Sequence, residues 1–471
     1  MTKLAFSTRN CWETYSDAEH QTAMQDLAER YVDFLSNCKT EREVVSYAVE
    51  RLKAAGYSED FGADKVFRAF KGKSLFIARK GSESLSQGLR LAGAHADSPR
   101  LDFKQRPLQE QAGVGQAKTH YYGGIRKYHW FARPLALHGV IIREDGSTVT
   151  VNIGEDASDP VFTIADLLPH LAQKQSGQTL ADAFEAEKMN IILAHKPMPK
   201  VEGADGEESK GAEDENAKLM NESPIKARIL SILQEKYGVC EEDLYSAELQ
   251  AVPAGPARFV GLDKALIGAY GHDDRICVFT ALEAILNAEN PTVPLCTLFW
   301  DKEEIGSEGS TGAKSKFFEY CVEDLIEAWE PTARFRHVML NTKALSADVH
   351  AAMDPDWQEL HEKLNASTIG HGPVFCKFTG HRGKYEANDA HPEYVAWLRS
   401  VLNACGIPWQ MAELGKVDQG GGGTVAMYLA EYGMDIIDFG PGVLSMHSPF
   451  ELASVADVYS TRLAYTAFFE G

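Results

Sequence analysis

The sequence contains no pair of cysteines with Cys-x-x-Cys spacing, although it has eight cysteines in 471 residues. Several of them, such as Cys277 and Cys296, lie within apolar runs, which is typical of buried reduced thiols. A disulfide-stabilised secreted scaffold is therefore disfavoured. We expect a cytoplasmic protein whose cysteines are free.

Long apolar segments and excess positive charge are also missing. Residues 1–6 lack the apolar centre of a signal peptide, and no window approaches 18 uninterrupted apolar residues. A secreted or membrane-spanning protein is therefore not expected. Asp and Glu (68) outnumber Lys and Arg (47), giving a formal net charge of -21. This balance disfavours nucleic acid and anionic membranes as partners.

What is present is a long chain with two kinds of pattern. In residues 1–102 and 258–471, strands alternate with helices, the longest helical region being 17–55. This pattern predicts an α/β catalytic domain with a mixed, mostly parallel central sheet flanked by helices. Residues 103–257 have Gly-rich turns and alternating strands, and predict an inserted β-rich domain. Within the insertion, residues 201–223 are acidic and predict a solvated loop.

Five polar clusters each follow a predicted strand. They are Gly93-Ala94-His95-Ala96-Asp97, Gly271-His272-Asp273-Asp274-Arg275, Asp301-Lys302-Glu303-Glu304-Ile305-Gly306, Ala347-Asp348-Val349-His350 and Ser445-Met446-His447-Ser448. Sites in parallel sheets gather beyond the carboxyl ends of the strands, so we expect these clusters to meet. Histidine and carboxylate ligands of this kind suit zinc, cobalt or manganese. Asp273 is the expected bridge, because a carboxylate can bridge two metals and a histidine cannot.

The Glu303-Glu304 pair is the cluster hardest to explain without a function. Two adjacent glutamates at the end of a buried strand are costly. Neighbouring side chains there point in different directions, so one can bind a metal while the other moves a proton. The other clusters have plainer interpretations, such as a core histidine at His95 or a helix cap at Asp273 and Asp274. Their coincidence at strand ends favours a metal hydrolase.

The order of these motifs resembles the aspartyl aminopeptidase / vacuolar aminopeptidase I family of dinuclear zinc exopeptidases. The motifs are His-x-Asp, Asp-Asp-Arg, Asp-x-Glu-Glu-Ile-Gly-Ser, Asp-Val-His and Met-His-Ser, and the resemblance covers almost the whole chain. It implies an aminopeptidase that acts on peptides with a free N-terminus and uses two divalent ions per subunit. Zinc is expected, and cobalt and manganese suit the same ligands. It also implies that the insertion is a dimerisation and lid domain, and that dimers build a dodecamer.

By position, the resemblance also implies a role for each cluster. The implied ligands of one metal are His95, Asp273 and Asp348, and those of the second are Asp273, Glu304 and His447. Asp97 is implied to orient His95 through its second ring nitrogen. Glu303 is implied to be the general base that activates a water shared by the two metals.

Three further residues are candidates outside the metal clusters. His170, in Leu167-Leu168-Pro169-His170-Leu171, is similar to a family histidine that reaches a neighbouring subunit's active site, the alternative being an ordinary surface histidine. His350 and Lys377 are candidates for the substrate pocket, since acid-preferring relatives bind the substrate carboxylate with a histidine and a lysine. The spacing of both differs here from the acid-preferring pattern. We therefore expect a broad or neutral-hydrophobic preference rather than an acidic one.

Two other functions remain open from the sequence. A related metal-dependent carboxypeptidase or deacylase would use a similar metal site, and would cleave substrates with a blocked N-terminus. A non-catalytic assembly protein would be expected to lack at least one metal ligand, yet all five are present.

Overall fold

The computed structural model describes residues 4–201 and 212–471. The chain forms two compact units: a catalytic unit, which runs up to Ser98 and resumes over Pro256–Gly471, and an inserted unit, Pro99–Gly255. The boundaries predicted from the sequence, after residues 102 and 257, lie four and two residues further along the chain.

The secondary structure of the described residues is as follows. The strands are β1 Lys65–Phe70, β2 Ser74–Arg79, β3 Arg90–His95, β4 Arg100–Gln111, β5 Val114–Tyr122, β6 Leu135–Ile142, β7 Thr148–Ile153, β8 Ile191–Ala194, β9 Ala247–Pro253, β10 Arg258–Val260, β11 Leu266–Ala269, β12 Leu295–Trp300, β13 Lys343–Ser346, β14 His350–Ala351, β15 Val374–Cys376, β16 Gln410–Met411, β17 Asp435–Gly440, β18 Gly442–Leu444 and β19 Glu451–Ser454. The α-helices are α1 Cys11–Thr14, α2 Ala18–Asn37, α3 Glu41–Ala54, α4 Gln173–Ser176, α5 Leu180–Ala183, α6 Ala212–Glu222, α7 Pro224–Tyr237, α8 His272–Asn287, α9 Phe317–Trp329, α10 Phe335–Asn341, α11 Pro392–Ala404, α12 Ala426–Ala430 and α13 Val455–Glu470. Short 3-10 turns span Leu85–Gln87, Lys127–Trp130, Ala186–Lys188, Glu242–Ser246, Glu303–Ile305, Gln358–Leu360 and Lys363–Asn365.

The catalytic unit is built on an eight-stranded mixed sheet in the order β1-β2-β12-β3-β13-β17-β15-β16. Its central strands β12, β3, β13 and β17 are parallel. Strands β3 and β12 are buried along their whole length, as expected for parallel strands covered on both faces. Successive residues of β12 enter different cores: Leu298 packs in one hydrophobic cluster and Phe299 in the other. The predicted α/β architecture is confirmed.

The helical region expected over residues 17–55 is divided into α2 and α3. The division falls at Thr40, whose side chain accepts a hydrogen bond from the backbone of Glu43, while the Glu43 side chain accepts one from the backbone of Thr40. This capping box satisfies backbone donors that the start of a helix leaves unpaired. A polar Thr-x-x-Glu pattern therefore ends one helix and starts the next.

The catalytic unit also contains a second sheet that the sequence did not predict. Its five strands have the order β10-β11-β19-β18-β14, and β19 pairs antiparallel with both β11 and β18. Two of the five polar clusters, those of Asp273 and His447, follow strands of this smaller sheet. The expectation that all five clusters end strands of one parallel sheet was therefore wrong. Strands of three or four residues carry too little periodicity to show which sheet they join.

The inserted unit is a six-stranded antiparallel sheet in the order β7-β6-β9-β4-β5-β8, with α7 packed on it. The predicted acidic loop at 201–223 is corrected in part, because residues 212–222 form α6. Ala, Glu, Lys, Leu and Met dominate that stretch and favour a helix whatever their charge. Residues 202–211 of the predicted loop lie outside the described part of the chain.

Candidate metal centre

Three predicted site segments follow neighbouring parallel strands of the large sheet. His95 is the last residue of β3 and pairs in register with Trp300, the last residue of β12. The turn carrying Glu303 and Glu304 begins three residues after β12. Asp348 lies two residues after β13, which pairs with β3 on its other side. Parallel strands bring their carboxyl ends to one edge, so these side chains share that edge.

The other two segments come from the small sheet and depart from regular backbone geometry. Asp273 follows β11 at the start of α8, and its φ of -82° and ψ of 104° are extended rather than helical. His447 follows β18 with a φ of 62°. A left-handed φ is uncommon in a residue as large as histidine and persists only where its surroundings fix it. Contacts outside the regular ladder must therefore hold both segments.

The side chains from the two sheets meet around Asp273. Its Oδ1 lies 3.0 Å from His95 Nε2, and its Oδ2 lies 3.2 Å from His447 Nε2. His95 Nε2 is also 3.8 Å from Asp348 Oδ1, and His447 Nε2 is 3.5 Å from Glu304 Oε1. The two oxygens of one carboxylate thus face two histidines, each of which has a second carboxylate beside it.

Asp97 links two of the sequence motifs in which metal ligands were predicted, both next to strands of the large sheet. Its Oδ1 is 3.4 Å from His95 Nδ1, the ring nitrogen that faces away from Asp273. Its two oxygens also accept hydrogen bonds from the backbone amides of Glu303, at 3.1 Å, and Glu304, at 3.2 Å. The predicted partner of His95 therefore also fixes the backbone of the glutamate pair.

Sequence reasoning missed two buried carboxylates at the site. Asp274, read from the sequence only as a helix-capping residue, forms a cluster with His95 and Asp348 whose ligand atoms lie within 4.8 Å of one another, and its Oδ2 accepts the His95 amide at 3.3 Å. Glu451 accepts the backbone amides of Asp273, at 3.1 Å, and His447, at 2.7 Å. The position of Asp274 directly beside Asp273 was a sequence signal that could have placed it at the site. Glu451 had none, because nothing in one sequence shows which carboxylate turns towards a neighbouring segment.

One more contact joins the segments that flank the insertion. The Ser98 hydroxyl donates to the backbone oxygen of Asp273 at 2.6 Å and accepts a hydrogen bond from Arg275 Nη1 at 2.8 Å. All three residues are buried within the catalytic unit. The last residue before the insertion is thus fixed directly to the segment that carries Asp273.

Burial and crowding of like charges shift the pKa values of the acids at the site. Burial raises the pKa of Glu303 to about 7, and it raises the pKa of Glu304 and Asp348 well above the usual carboxyl range. For Asp273, burial acts in the same direction, but the hydrogen bonds with His447 and His95 outweigh it and hold its pKa below the usual value. Repulsion among several buried carboxylates makes it unfavourable to ionise all of them. A bound cation would offset that repulsion, so its binding is favourable at this site.

The histidines respond in the opposite way. Burial acts to lower the pKa of His447, but the hydrogen bond with Asp273 and the nearby Glu304 raise it to about 10. The pKa of His95 is likewise raised well above its usual value, since Asp273 and Asp97 outweigh the effect of burial. A metal ion bound by these rings would displace their protons, because a histidine ligand must be neutral at the ligating nitrogen.

The donor set fits divalent metal ions. The ligand atoms of His95, Asp273 and Glu304 lie within 4.8 Å of one another. Glu304 Oε1 is buried and has no hydrogen-bond partner among the residues that the structure describes, as expected for an atom that awaits an ion. Imidazole nitrogen with carboxylate oxygen is a ligand set that zinc accepts.

The surroundings of the three remaining predicted residues, His170, His350 and Lys377, are as follows. His170 is an exposed residue of the inserted unit, beside the exposed leucines Leu167, Leu168 and Leu171. His350 is buried in β14, where its Nδ1 shares a hydrogen bond with Ser367 Oγ at 2.9 Å. Lys377 Nζ forms an ion pair with Asp389 at 2.8 Å.

A cluster of two histidines and several carboxylates at sheet edges, with a buried glutamate in the adjoining turn, defines a metal-dependent hydrolase. Residues 34–469 match the family described as Aminopeptidase I zinc metalloprotease (M18). The chain therefore belongs to the M18 family of zinc metallo-aminopeptidases, hydrolases that act on peptide bonds. The family resemblance inferred from the motifs is confirmed.

Similar proteins span the same length. A probable M18 family aminopeptidase 1 from Clostridium acetobutylicum is 44% identical over 472 residues, covering 98% of this chain and 97% of the relative. The probable M18 family aminopeptidase 1 of Thermotoga maritima is 43% identical, covering 98% of each chain. An aspartyl aminopeptidase from Caenorhabditis elegans is 25% identical, covering 95% of this chain and 96% of the relative.

Solved structures agree with this assignment. The crystal structure of the M18 aminopeptidase from Thermotoga maritima has a TM-score of 0.90 and 42% identity, covering 99% of this chain and all of the other. The S. cerevisiae mApe1 dodecamer has the same fold, with a TM-score of 0.73 at 21% identity over 94% of this chain and 96% of the other. Among the described residues, no helix combines the length and apolar character needed to span a membrane.

Proposed function

We propose that this aminopeptidase removes N-terminal residues from peptides with two divalent ions, expected to be zinc, that share Asp273. The ligands proposed for the first ion are His95, Asp273 and Asp348, and those for the second are Asp273, Glu304 and His447. We name the side chains of His95 and Asp348 the His95 half, and those of His447 and Glu304 the His447 half. The observation that carries the proposal is the Asp273 carboxylate, whose two oxygens face different histidines at 3.0 and 3.2 Å.

The chain's own residues account for the proton transfers. Two zinc ions, when bound, supply a polarised water and positive charge for the developing oxyanion. Glu303 accepts the proton of the attacking water and delivers it to the leaving amine nitrogen. Asp97 anchors the Glu303 amide, so the base is aligned with the ligand segment beside it. Asp97 also holds His95 through Nδ1, which leaves Nε2 for the metal.

We propose a broad or neutral-hydrophobic substrate preference. An acidic side chain would need unpaired positive charge in the pocket, but Lys377 and Lys384 both form ion pairs with Asp389, at 2.8 and 3.0 Å. His350 is buried and hydrogen-bonded to Ser367. The relatives at 41–44% identity are named aminopeptidase 1, whereas the relative named for aspartyl substrates is 25% identical.

A panel of aminoacyl p-nitroanilides tests activity and preference together. Initial rates are measured for the Leu, Asp, Glu and Lys compounds, each with a free and an N-acetylated amine, in added zinc or cobalt. We expect cleavage of the free-amine compounds alone, with Leu faster than Asp and Glu. Faster cleavage of the Asp or Glu compound than of the Leu compound would contradict the proposed preference. Cleavage of the acetylated compounds would favour the deacylase alternative.

We also propose assembly into a homo-oligomer, a dodecamer built from dimers, in which His170 reaches the site of a neighbouring subunit. The exposed leucines Leu167, Leu168 and Leu171 beside His170 support a protein contact there, since clustered apolar side chains are unfavourable in water. The same substrate panel, run on fractions separated by size, tests this role, because a fully active monomer would contradict it. We place the protein in the cytoplasm, supported by its unpaired cysteines, most of them buried.

A further inference from the structure

Glu451 occupies an unusual position between the two ligand segments of the small sheet. It is the first residue of β19 and is 1% exposed. Its Oε2 accepts the backbone amide of Asp273 at 3.1 Å, and its Oε1 accepts that of His447 at 2.7 Å. One carboxylate therefore joins two segments that lie 174 residues apart in the sequence, each of which ends in a metal-ligand side chain.

Asp273 departs from the geometry of α8, at whose start it lies, and His447 departs from that of the strand β18 before it. Asp273 is extended at the start of α8, and His447 has a φ of 62° with Ser445 at 58° two residues before it. Left-handed backbone in residues other than glycine is uncommon and persists only where other contacts impose it. Glu451 supplies such contacts, because it is buried and accepts a hydrogen bond from the backbone of each segment.

We propose that Glu451 is a positioning residue that holds Asp273 and His447 in the geometry that binds the metal of the His447 half. It touches the backbone of these ligands and not the reacting atoms. The His95 half needs it less, because His95 stands on a long parallel strand and Asp97 fixes its ring. This inference rests on the proposed two-metal site and assigns one residue to the affinity of one of the two ions.

Asp457 provides a matched control six residues further along the chain. It is also fully buried, and its carboxylate also accepts two backbone amides, those of Gly370 at 2.6 Å and Gly372 at 2.7 Å. Neither glycine belongs to the proposed ligand segments. Glu451→Gln and Asp457→Asn each replace one accepting oxygen by an amide NH₂ group that faces a backbone N–H. The two substitutions therefore remove equivalent hydrogen bonds. They differ in the backbone that is affected, which belongs to proposed metal ligands for Glu451→Gln and to glycines outside the ligand segments for Asp457→Asn.

The experiment measures zinc bound per subunit by mass spectrometry, together with zinc affinity by chelator competition, in the full-length wild type and both variants. We expect the wild type and Asp457→Asn to bind two zinc ions. In Glu451→Gln one ion should bind about 10- to 100-fold more weakly, the range typical for loss of a group that orients a ligand. Excess zinc should restore most of the rate of Glu451→Gln. Melting temperatures should fall by similar amounts in the two variants.

Two wild-type zinc affinities in Glu451→Gln would overturn the positioning role while leaving the two-metal enzyme intact. Equal weakening in Asp457→Asn would also overturn it, because the effect would then be one of general stability. Fewer than two zinc ions in the wild type would instead contradict the proposed metal centre. If Glu451→Gln does not fold, Glu451→Asp is measured instead. Its side chain keeps the carboxyl group but is one methylene shorter, so we expect it to reach one amide and not both, and unchanged zinc binding in it would overturn the proposal.

Discussion

The two halves of the metal centre are held in different ways. The His95 half stands on neighbouring parallel strands, and the exposed fractions of the His95 and Asp348 side chains are 2% and 14%. The His447 half has its histidine in a left-handed loop position, with 35% of that side chain exposed. Strand pairing in the large sheet positions both residues of the His95 half but only Glu304 of the His447 half, whereas His447 is held by the hydrogen bond from its amide to buried Glu451. We therefore expect the His95 half to bind its ion more tightly.

Substituting each histidine in turn should change the binding of the two zinc ions by different amounts, and this is the largest expected effect. His447→Ala should lose one zinc ion and keep the other at near wild-type affinity. His95→Ala should lower the occupancy of both, because His95 also contacts Asp97, which accepts the backbone amide of Glu304 in the other half. The loss at each affected position should exceed the roughly 100-fold that removal of an orienting group causes. Zinc per subunit after equilibration with a chelator measures this, and equal losses in the two variants would show that the halves are equivalent.

Glu303→Gln should affect turnover without affecting either half. Because Glu303 is the proposed base and not a ligand, the variant should bind two zinc ions. Its kcat should fall by at least about a hundredfold, the usual scale for loss of a general base. Rates on the Leu p-nitroanilide, measured beside the zinc content of the same sample, check this. A metal-replete variant with near-normal turnover would remove Glu303 from the mechanism.

A pH series on Asp457→Asn has the smallest expected effect on the metal centre, because it measures the stability of the surrounding scaffold and not either half. Burial raises the pKa of Asp457 to about 7. An acid whose pKa is higher in the folded state stabilises that state fully below its unfolded pKa, about pH 4, and the contribution is lost as the pH rises to about 7. Across this window the wild type should lose stability relative to the variant by about 1.4 kcal/mol for each unit of pKa difference.

Urea unfolding of both proteins in the presence of a chelator, at pH steps across that window, provides the measurement. The hydrogen bond lost in Asp457→Asn shifts the difference in unfolding free energy by an amount that does not depend on pH. Only the change of that difference with pH reports the titration of Asp457. A difference that stays constant from pH 4 to pH 7, or that changes with the opposite sign, would contradict the raised pKa.

The sequence predicted what strong local patterns encode. The apolar run before Asp301 is the buried strand β12, and the segment before Asp97 is β3. Polar residues directly after such strands could be placed at one edge, because parallel strands leave no other position for them. The capping box at Thr40 was readable in the same way but was not used, so one helical region was expected where there are two.

The pairing of strands that lie far apart in the chain could not be predicted from a single sequence. Nothing in Leu266–Ala269 or Gly442–Leu444 shows that both pair with β19 and not with the large sheet. For the same reason Glu451, whose hydrogen-bond partners are defined only after folding, was missed. The helix at 212–222 shows a different limit, since net charge was given more weight than the helix propensity of the individual residues.

The hydrogen bond between Ser98 and the backbone of Asp273 closes a loop that contains the whole inserted unit. The entropic cost of closing a flexible loop increases only slowly with its length, by about 0.6 kcal/mol for each doubling of the number of residues. The insertion can therefore lengthen, shorten or change its sequence at little cost to the geometry of Asp273. A protein built in this way can change the length and sequence of its insertion over evolutionary time while the segment that carries Asp273 stays in place.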